Sequence, residues 1–306
     1  MAMRNRLSKL ALMVVMVLGA ATSGCLPRLA SAAPAYPSDP GAMTVSAGEN
    51  FYGDLFHQLG GSRLRVYAFV SNPNADPHQY ETSTGNAQAV ADSRLVVVNG
   101  LGYDAFMERL LQASPRPGRV VINVQRLVGA PDGANPHLWY DPGVMPRVAR
   151  AVAAALARLD PAGNAVYAAN LAAFLGALAP IADRIAGLRT RFLGTPVAFT
   201  EPVYGYAAAA LGLSVRSPVS FMKAVEEGND PPTRAVAEEE DLLTRHLVKA
   251  LLYNSQVVTP VTTALRGLAS RSGIPVVGIS ETEPAGRTYQ RWQLDALDAL
   301  DAALSR

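Results

Sequence analysis

Short runs of β-branched and aliphatic residues alternate with stretches whose apolar positions recur at helical spacing. Runs at 43–47, 64–70, 95–99 and 120–124 read as strands, with helix-like stretches at 50–60, 85–93 and 103–112 between them. A second series has strands at 196–200, 249–253 and 275–279, and helices at 202–212, 233–246, 259–272 and 288–304. Such alternation predicts βαβ units and mostly parallel sheets. Between the two series, 143–192 reads as helix. It divides at Asp160-Pro161, where Asp160 suits an N-cap and Pro161 a first helical turn. The second part, 161–192, would be about 45 Å long at 1.5 Å per residue. Its apolar residues include Val166, Phe174, Ile181 and Leu188, and a kink is expected at Pro180. The predicted fold class is α/β: two lobes, each a mostly parallel sheet flanked by helices, joined by one long rigid helix. The expected boundaries are 43–160 for the first lobe, 161–192 for the linking helix and 193–306 for the second lobe.

The first 42 residues break this pattern. Arg4, Arg6 and Lys9 precede an apolar run from Leu10 to Ala21, too short for an ordinary membrane-spanning helix, and Thr22-Ser23-Gly24-Cys25 follows. Residues 1–25 read as a lipoprotein-type signal peptide with Cys25 as the lipidated residue. The alternative is cleavage after Ala30-Ser31-Ala32. Both routes export the chain, either anchored by lipid on the extracytoplasmic face of the cell membrane or as a soluble periplasmic or secreted protein. Residues 26–42, rich in Pro, Ala and Ser, read as a flexible tether. No later stretch shows an uninterrupted apolar run long enough to span a membrane.

Composition narrows the function. Of 306 residues, 17% are charged and 49% hydrophobic, which argues against wholesale disorder. The net charge of +2 comes from the signal segment, since without its three bases 24 bases face 25 acids. No basic block is present and aromatics are only 7%, so nucleic acid is not an expected partner. Cys25 is the one cysteine, so no internal disulfide can form.

Four histidines can be weighed singly. His78, in Asp76-Pro77-His78-Gln79-Tyr80-Glu81, and His137, in Asn135-Pro136-His137-Leu138-Trp139-Tyr140-Asp141-Pro142, both follow a proline in polar loops. Proline stiffens each loop, and imidazole is the commonest protein metal ligand. The matched settings raise a metal reading beside a purely structural one. His57 and His246 sit in ordinary helix-end and pre-strand contexts. Glu201 and Glu281 fall at strand ends, where open parallel sheets bind ligands. Glu283 lies two residues further and competes with Glu281. Glu238-Glu239-Glu240-Asp241 reads as a solvated helix face.

Taken in order, these motifs resemble a known family. With Val96-Val97-Val98-Asn99-Gly100-Leu101-Gly102, Glu201-Pro202-Val203-Tyr204-Gly205-Tyr206 and Glu281-Thr282-Glu283-Pro284 added, residues 43–306 are similar to the zinc/manganese solute-binding lipoproteins of bacterial ABC importers. The resemblance implies one metal ligand from each of four loops, two per lobe: His78, His137, Glu201 and Glu281. The last is a departure, since the family usually has Asp there. It implies a divalent metal as cargo, Zn2+ or Mn2+, an ABC permease with its ATPase as partner, and no enzymatic activity. The chain is expected to act as a monomer. Two imidazoles and two carboxylates neutralise a divalent ion and suit zinc, slightly preferred over manganese by the Irving–Williams order. Asp141 is expected to cap the helix from 143, and Trp139, Tyr204 and Tyr206 either wall off the site or belong to the core. The competing readings are a secreted mononuclear zinc hydrolase, with Glu281 or Glu283 as base, and a surface adhesin on the same fold.

Overall fold

The aliphatic run at 95–98 is buried on both sides, as an interior strand of a parallel sheet requires. In the computed structural model, which describes residues 38–72, 77 and 80–306, the strands form two four-stranded sheets. The first contains β1 (Met43–Glu49), β2 (Leu64–Val70), β3 (Leu95–Val98) and β4 (Val120–Asn123) in the order β2-β1-β3-β4. The second contains β5 (Pro196–Phe199), β6 (Ser214–Val215), β7 (Leu251–Asn254) and β8 (Val276–Ile279) in the order β6-β5-β7-β8. Every pairing is parallel. The two sheets therefore share one topology, and in each the strand order reverses beside the first strand. Ligands of open α/β sheets bind at that reversal, beyond the carboxyl ends of the strands.

Helices cover the sheets. In the first lobe they are α1 (Asn50–Gly60), α2 (Thr84–Asp92), α3 (Ala105–Ala113), α4 (Val124–Val128) and α5 (Val144–Leu159). The linking stretch holds a 3-10 turn at Pro161–Gly163, α6 (Asn164–Ala177) and α7 (Ala179–Phe192). In the second lobe lie α8 (Gly205–Leu211), α9 (Val219–Glu226), α10 (Thr233–Thr244), α11 (Pro260–Arg271) and α12 (Tyr289–Leu304). One continuous core joins both lobes, from Val45, Phe51 and Trp139 to Phe199, Leu251 and Trp292. A smaller cluster of Val70, Val90, Val96, Val98, Phe106, Met107 and Leu110 lies around β3. The described residues form one compact unit.

The linking helix is bent, as Pro180 predicts. It breaks at Leu178 because proline has no N–H for the helical ladder and crowds the preceding turn. Its buried residues, Tyr167, Phe174, Ile181 and Leu188, recur every seven positions and form one narrow stripe against the core. Asp160 departs from its expected role. Its side chain caps nothing and instead accepts from Arg63 Nη2 (2.6 Å) and Tyr167 Oη (2.7 Å), fastening the start of the long helix to the first lobe. Asp141 likewise falls short of a cap on α5, but its Oδ1 accepts from the Gly143 N–H at 2.8 Å.

Three elements escape the hydrophobic pattern. β6 has two residues, α4 five, and α9 follows Pro218 in the stretch between the expected helices 202–212 and 233–246. Glu239 also corrects an expectation. Glu238, Glu240 and Asp241 are exposed, but Glu239 is fully buried and accepts from Ser217 Oγ (2.9 Å), whose oxygen accepts from the Phe199 N–H (2.7 Å). Burial pushes its carboxyl up from 4.5 to about 7. Between those values the unfolded chain loses a proton that the folded one keeps, so stability falls as pH rises through that window. Glu239→Gln, which keeps the Ser217 bond, is expected to be more stable than the wild type by on the order of 2 kcal/mol at pH 8 and to converge with it near pH 4. Urea unfolding at the two pH values measures this.

Candidate metal centre

His137 follows the Asn135-Pro136 turn and its side chain is fully buried. Asn135 Oδ1 accepts from the His137 backbone N–H (3.0 Å) and lies 2.6 Å from Nδ1. The Asn135 amide nitrogen is committed to Pro202 O at 2.7 Å, so its oxygen faces the ring. An amide oxygen only accepts, so Nδ1 carries a proton and the ring turns Nε2 outward. The loop is held from three further directions. Asn99 Nδ2 donates to Pro136 O (2.8 Å), Tyr206 Oη donates to Asn135 O (2.9 Å), and Trp139 packs edge-on against the imidazole with centroids 5.2 Å apart. Trp139 and Tyr204 are core residues, and Trp139 also packs on the imidazole. Glu226, at the end of α9, brings Oε1 to 3.7 Å from Nδ1.

The Asn99-Gly100-Leu101-Gly102 turn explains its glycines. All three residues after Asn99 have positive φ (84°, 57° and 79°), and a Cβ at Gly100 would meet Gln125 Cβ at 2.8 Å. The turn places Asn99 at the end of β3, where its side chain reaches the His137 loop.

Glu281 follows β8 and points at His137, with Oε2 3.2 Å from Nε2. The same oxygen accepts from Tyr103 Oη at 2.9 Å. Oε1 accepts from Asn254 Nδ2 (2.5 Å), which also donates to Glu201 Oε2 (3.0 Å). One amide at the end of β7 thus joins the two carboxylates that follow β5 and β8. Gln256 holds the Glu281 loop, its Oε1 accepting from the backbone N–H of Glu281 (2.6 Å) and Thr282 (3.0 Å). Its Nε2 reaches across to Asn72 O (3.3 Å) in the loop after β2, the loop that continues to His78. Glu201 and Glu281 are 2% and 0% exposed.

Glu283 is turned elsewhere. Its backbone exchanges two hydrogen bonds with the Asn50 side chain, and burial beside Asp54 pushes its carboxyl up to about 9. Glu281, rather than Glu283, is the carboxylate that meets His137. His57 lies in the last turn of α1, where burial lowers its imidazole to about 4. His246 is exposed, in a left-handed conformation with φ 53°. His78 and Cys25 lie outside the described residues. Among the described residues no group of three or more His, Cys, Asp or Glu side chains is placed to hold a metal ion. The structure thus brings His137 to Glu281, and links Glu281 to Glu201 through Asn254.

The spacing of the first pair is that of two ligands of one ion. Donors bound at 2.0–2.2 Å to a tetrahedral centre stand about 3.4 Å apart. Nε2 and Glu281 Oε2, 3.2 Å apart, stand close to that separation. Asn254, Gln256 and Tyr103 were not singled out from sequence. For Asn254 a signal exists, because a polar residue closes an apolar strand there as Asn99 does after β3.

The fold is a two-lobed α/β architecture whose candidate site gathers residues that follow strands of both sheets. The chain belongs to the family described as the periplasmic component A of zinc-uptake complexes, whose model matches residues 45–303. It is 27% identical over 168 residues to the manganese-binding lipoprotein MntA of Halalkalibacterium halodurans, a match covering 53% of each chain, so the alignment spans about half of that relative. The fold is similar to that of the periplasmic zinc-binding protein TroA of Treponema pallidum, with TM-score 0.74, 19% identity, and coverage of 87% of this chain and 100% of that one. It is also similar to FpvC of Pseudomonas aeruginosa, solved with Mn2+, with TM-score 0.70, 19% identity, and coverage of 86% and 98%.

If Asn135 sets the imidazole tautomer, its removal changes which nitrogen holds the proton. Asn135→Ala is expected to shift His137 from the Nδ1–H tautomer toward a mixture with Nε2–H. Nitrogen-15 shifts of the ring read the two forms directly, and an unchanged pattern would contradict the assignment.

Proposed function

We propose that this chain is an extracytoplasmic solute-binding protein that captures one divalent transition metal between its lobes and delivers it to an ABC permease. The observation that carries the reading is the buried contact of His137 Nε2 with Glu281 Oε2, joined to Glu201 through Asn254. Of the four proposed ligands His137 and Glu281 already face each other, Glu201 is joined to Glu281 through Asn254 and turns to meet the ion, and His78 is the fourth. The lobes are residues 43–160 and 193–306, with 161–192 between them. The zinc-uptake family and a manganese-binding relative support metal as cargo.

Zinc is the slightly favoured cargo. Two neutral imidazoles and two carboxylates cancel its charge, and such N/O sites bind zinc more tightly than manganese. Four protein ligands leave no position for a reactive water, which favours capture over hydrolysis. Cys25 carries the lipid that holds the protein at the outer face of the membrane, in keeping with the lipoprotein relative. The protein works as a monomer, handing its cargo to the permease and its ATPase.

Calorimetric titration of the exported, metal-stripped protein with zinc and with manganese tests this. Submicromolar binding of one ion per chain is expected, tighter for zinc. His137→Ala is expected to weaken zinc by more than the roughly 10- to 100-fold that loss of a supporting partner causes. Affinity unchanged in that variant would contradict the site.

A further inference from the structure

Asn50 is the first residue of α1, where asparagine is a poorer choice than at the N-cap just before it. Its side chain leaves the helix for the other lobe. Nδ2 donates to Glu283 O at 2.7 Å, and Oδ1 accepts from the Glu283 N–H at 3.0 Å. The carboxamide thus pairs with the Glu283 backbone as a neighbouring strand would. Glu283 belongs to the loop that carries Glu281. In that loop the N–H groups of Glu281 and Thr282 donate to Gln256 of the second lobe (2.6 and 3.0 Å), and the N–H of Glu283 donates to Asn50 of the first. The loop is gripped from both lobes.

The same helical turn reaches the His137 loop. Tyr52 Oη donates to Asn99 Oδ1 (3.0 Å), and Asn99 Nδ2 donates to the carbonyl of Pro136, the residue before His137 (2.8 Å). Between Asn50 and Tyr52, the Phe51 ring packs on Trp139 with centroids 4.7 Å apart, and Trp139 packs on the imidazole. Phe51 and Tyr52 are fully buried, so this turn has little freedom to shift. Three consecutive residues therefore address both loops whose side chains meet at 3.2 Å, His137 Nε2 against Glu281 Oε2.

Those two loops come from different lobes, so neither sheet alone fixes their separation. A short rigid piece of helix bonded to both does. We propose that the first turn of α1 sets the spacing of the two ligand loops, and that Asn50 is a positioning residue for metal capture. This rests on the reading of His137 and Glu281 as ligands. Ligand geometry depends on such supporting contacts, and loss of one loosens the site without removing a donor. A second contact of the same kind provides the comparison. Gln58, two turns along α1, exchanges a pair of hydrogen bonds with the Gln290 side chain of α12 (2.9 Å each), joining the same lobes but neither ligand loop.

The test is zinc titration of the exported, metal-stripped protein and its variants. Asn50→Ala is expected to weaken zinc by about tenfold, the low end of what loss of a supporting partner costs, with faster zinc release. In a Glu281→Ala background the same change should cost nothing further, because Asn50 acts through that loop. Gln58→Ala should bind zinc as the wild type does, although it too loses a contact between the lobes. The wild type alone gives an independent readout, valid even where Asn50→Ala fails to fold. Linked equilibria are reciprocal, so zinc must hold the Asn50–Glu283 pair closed and slow hydrogen exchange of the Glu283 N–H. Wild-type affinity in Asn50→Ala, an equal loss in Gln58→Ala, a further loss in the Glu281→Ala background, or Glu283 exchange unchanged by zinc would each overturn the proposal while leaving metal capture standing. Failure of the wild type to bind zinc at all would overturn both.

Discussion

Two carboxylates and an imidazole removed from water are the constraint around which this fold is organised. Glu201, Glu281 and His137 are all but fully buried, where isolated negative charge is expensive. Donors offset part of that cost: Asn254 reaches both carboxylates, Tyr103 reaches Glu281, and Gln256 fixes the Glu281 backbone. All three donors are neutral side chains, and they fix the Glu281 loop and the orientation of the two carboxyl groups. The divalent cation proposed above would meet groups already held in place.

The architecture supplies the positions. Two sheets of one topology present the carboxyl ends of β1, β3, β5, β7 and β8 toward functional loops, and Glu49, Asn99, Glu201, Asn254 and Glu281 stand at or just beyond those ends. Hydrogen bonds between distant parts of the chain then fasten the lobes together. Tyr289 Oη donates to Trp139 O (2.7 Å), Tyr140 Oη donates to Ser280 O (2.7 Å), and the Asn50 side chain pairs with the Glu283 backbone. The bent helix α6–α7 adds its apolar stripe to the shared core. With a core and these bonds common to both lobes, wide hinge opening would expose much apolar surface. Smaller loop movements around His137 and Glu281 fit the structure better as the route for the proposed cargo.

Much of this was legible in the sequence where a physical signal is strong and local. Long aliphatic strands, the proline-stiffened His137 loop and carboxylates after strands leave clear marks, and the bend at Pro180 follows from proline chemistry alone. What escaped depends on tertiary partners. Asn254 and Gln256 matter because of groups that the fold brings to them from elsewhere in the chain. Glu239 sits in an acidic run that looks solvated, and only the approach of Ser217 and β5 shows that one of its four acids faces inward. β6 is too short to carry a pattern. Asp160 has the right residue type for a cap, but Arg63 and Tyr167 compete successfully for its carboxylate.

The most direct test of the account is X-ray absorption on the zinc-loaded exported protein, alongside the His78→Ala and Glu281→Ala variants. The account predicts four nitrogen and oxygen donors at about 2.0–2.2 Å, with the imidazole scattering of two histidines and no sulfur. His78→Ala should lose one imidazole contribution, and Glu281→Ala one oxygen donor. A zinc shell with fewer than two imidazoles, or one unchanged in both variants, would place the metal elsewhere and contradict the site described here.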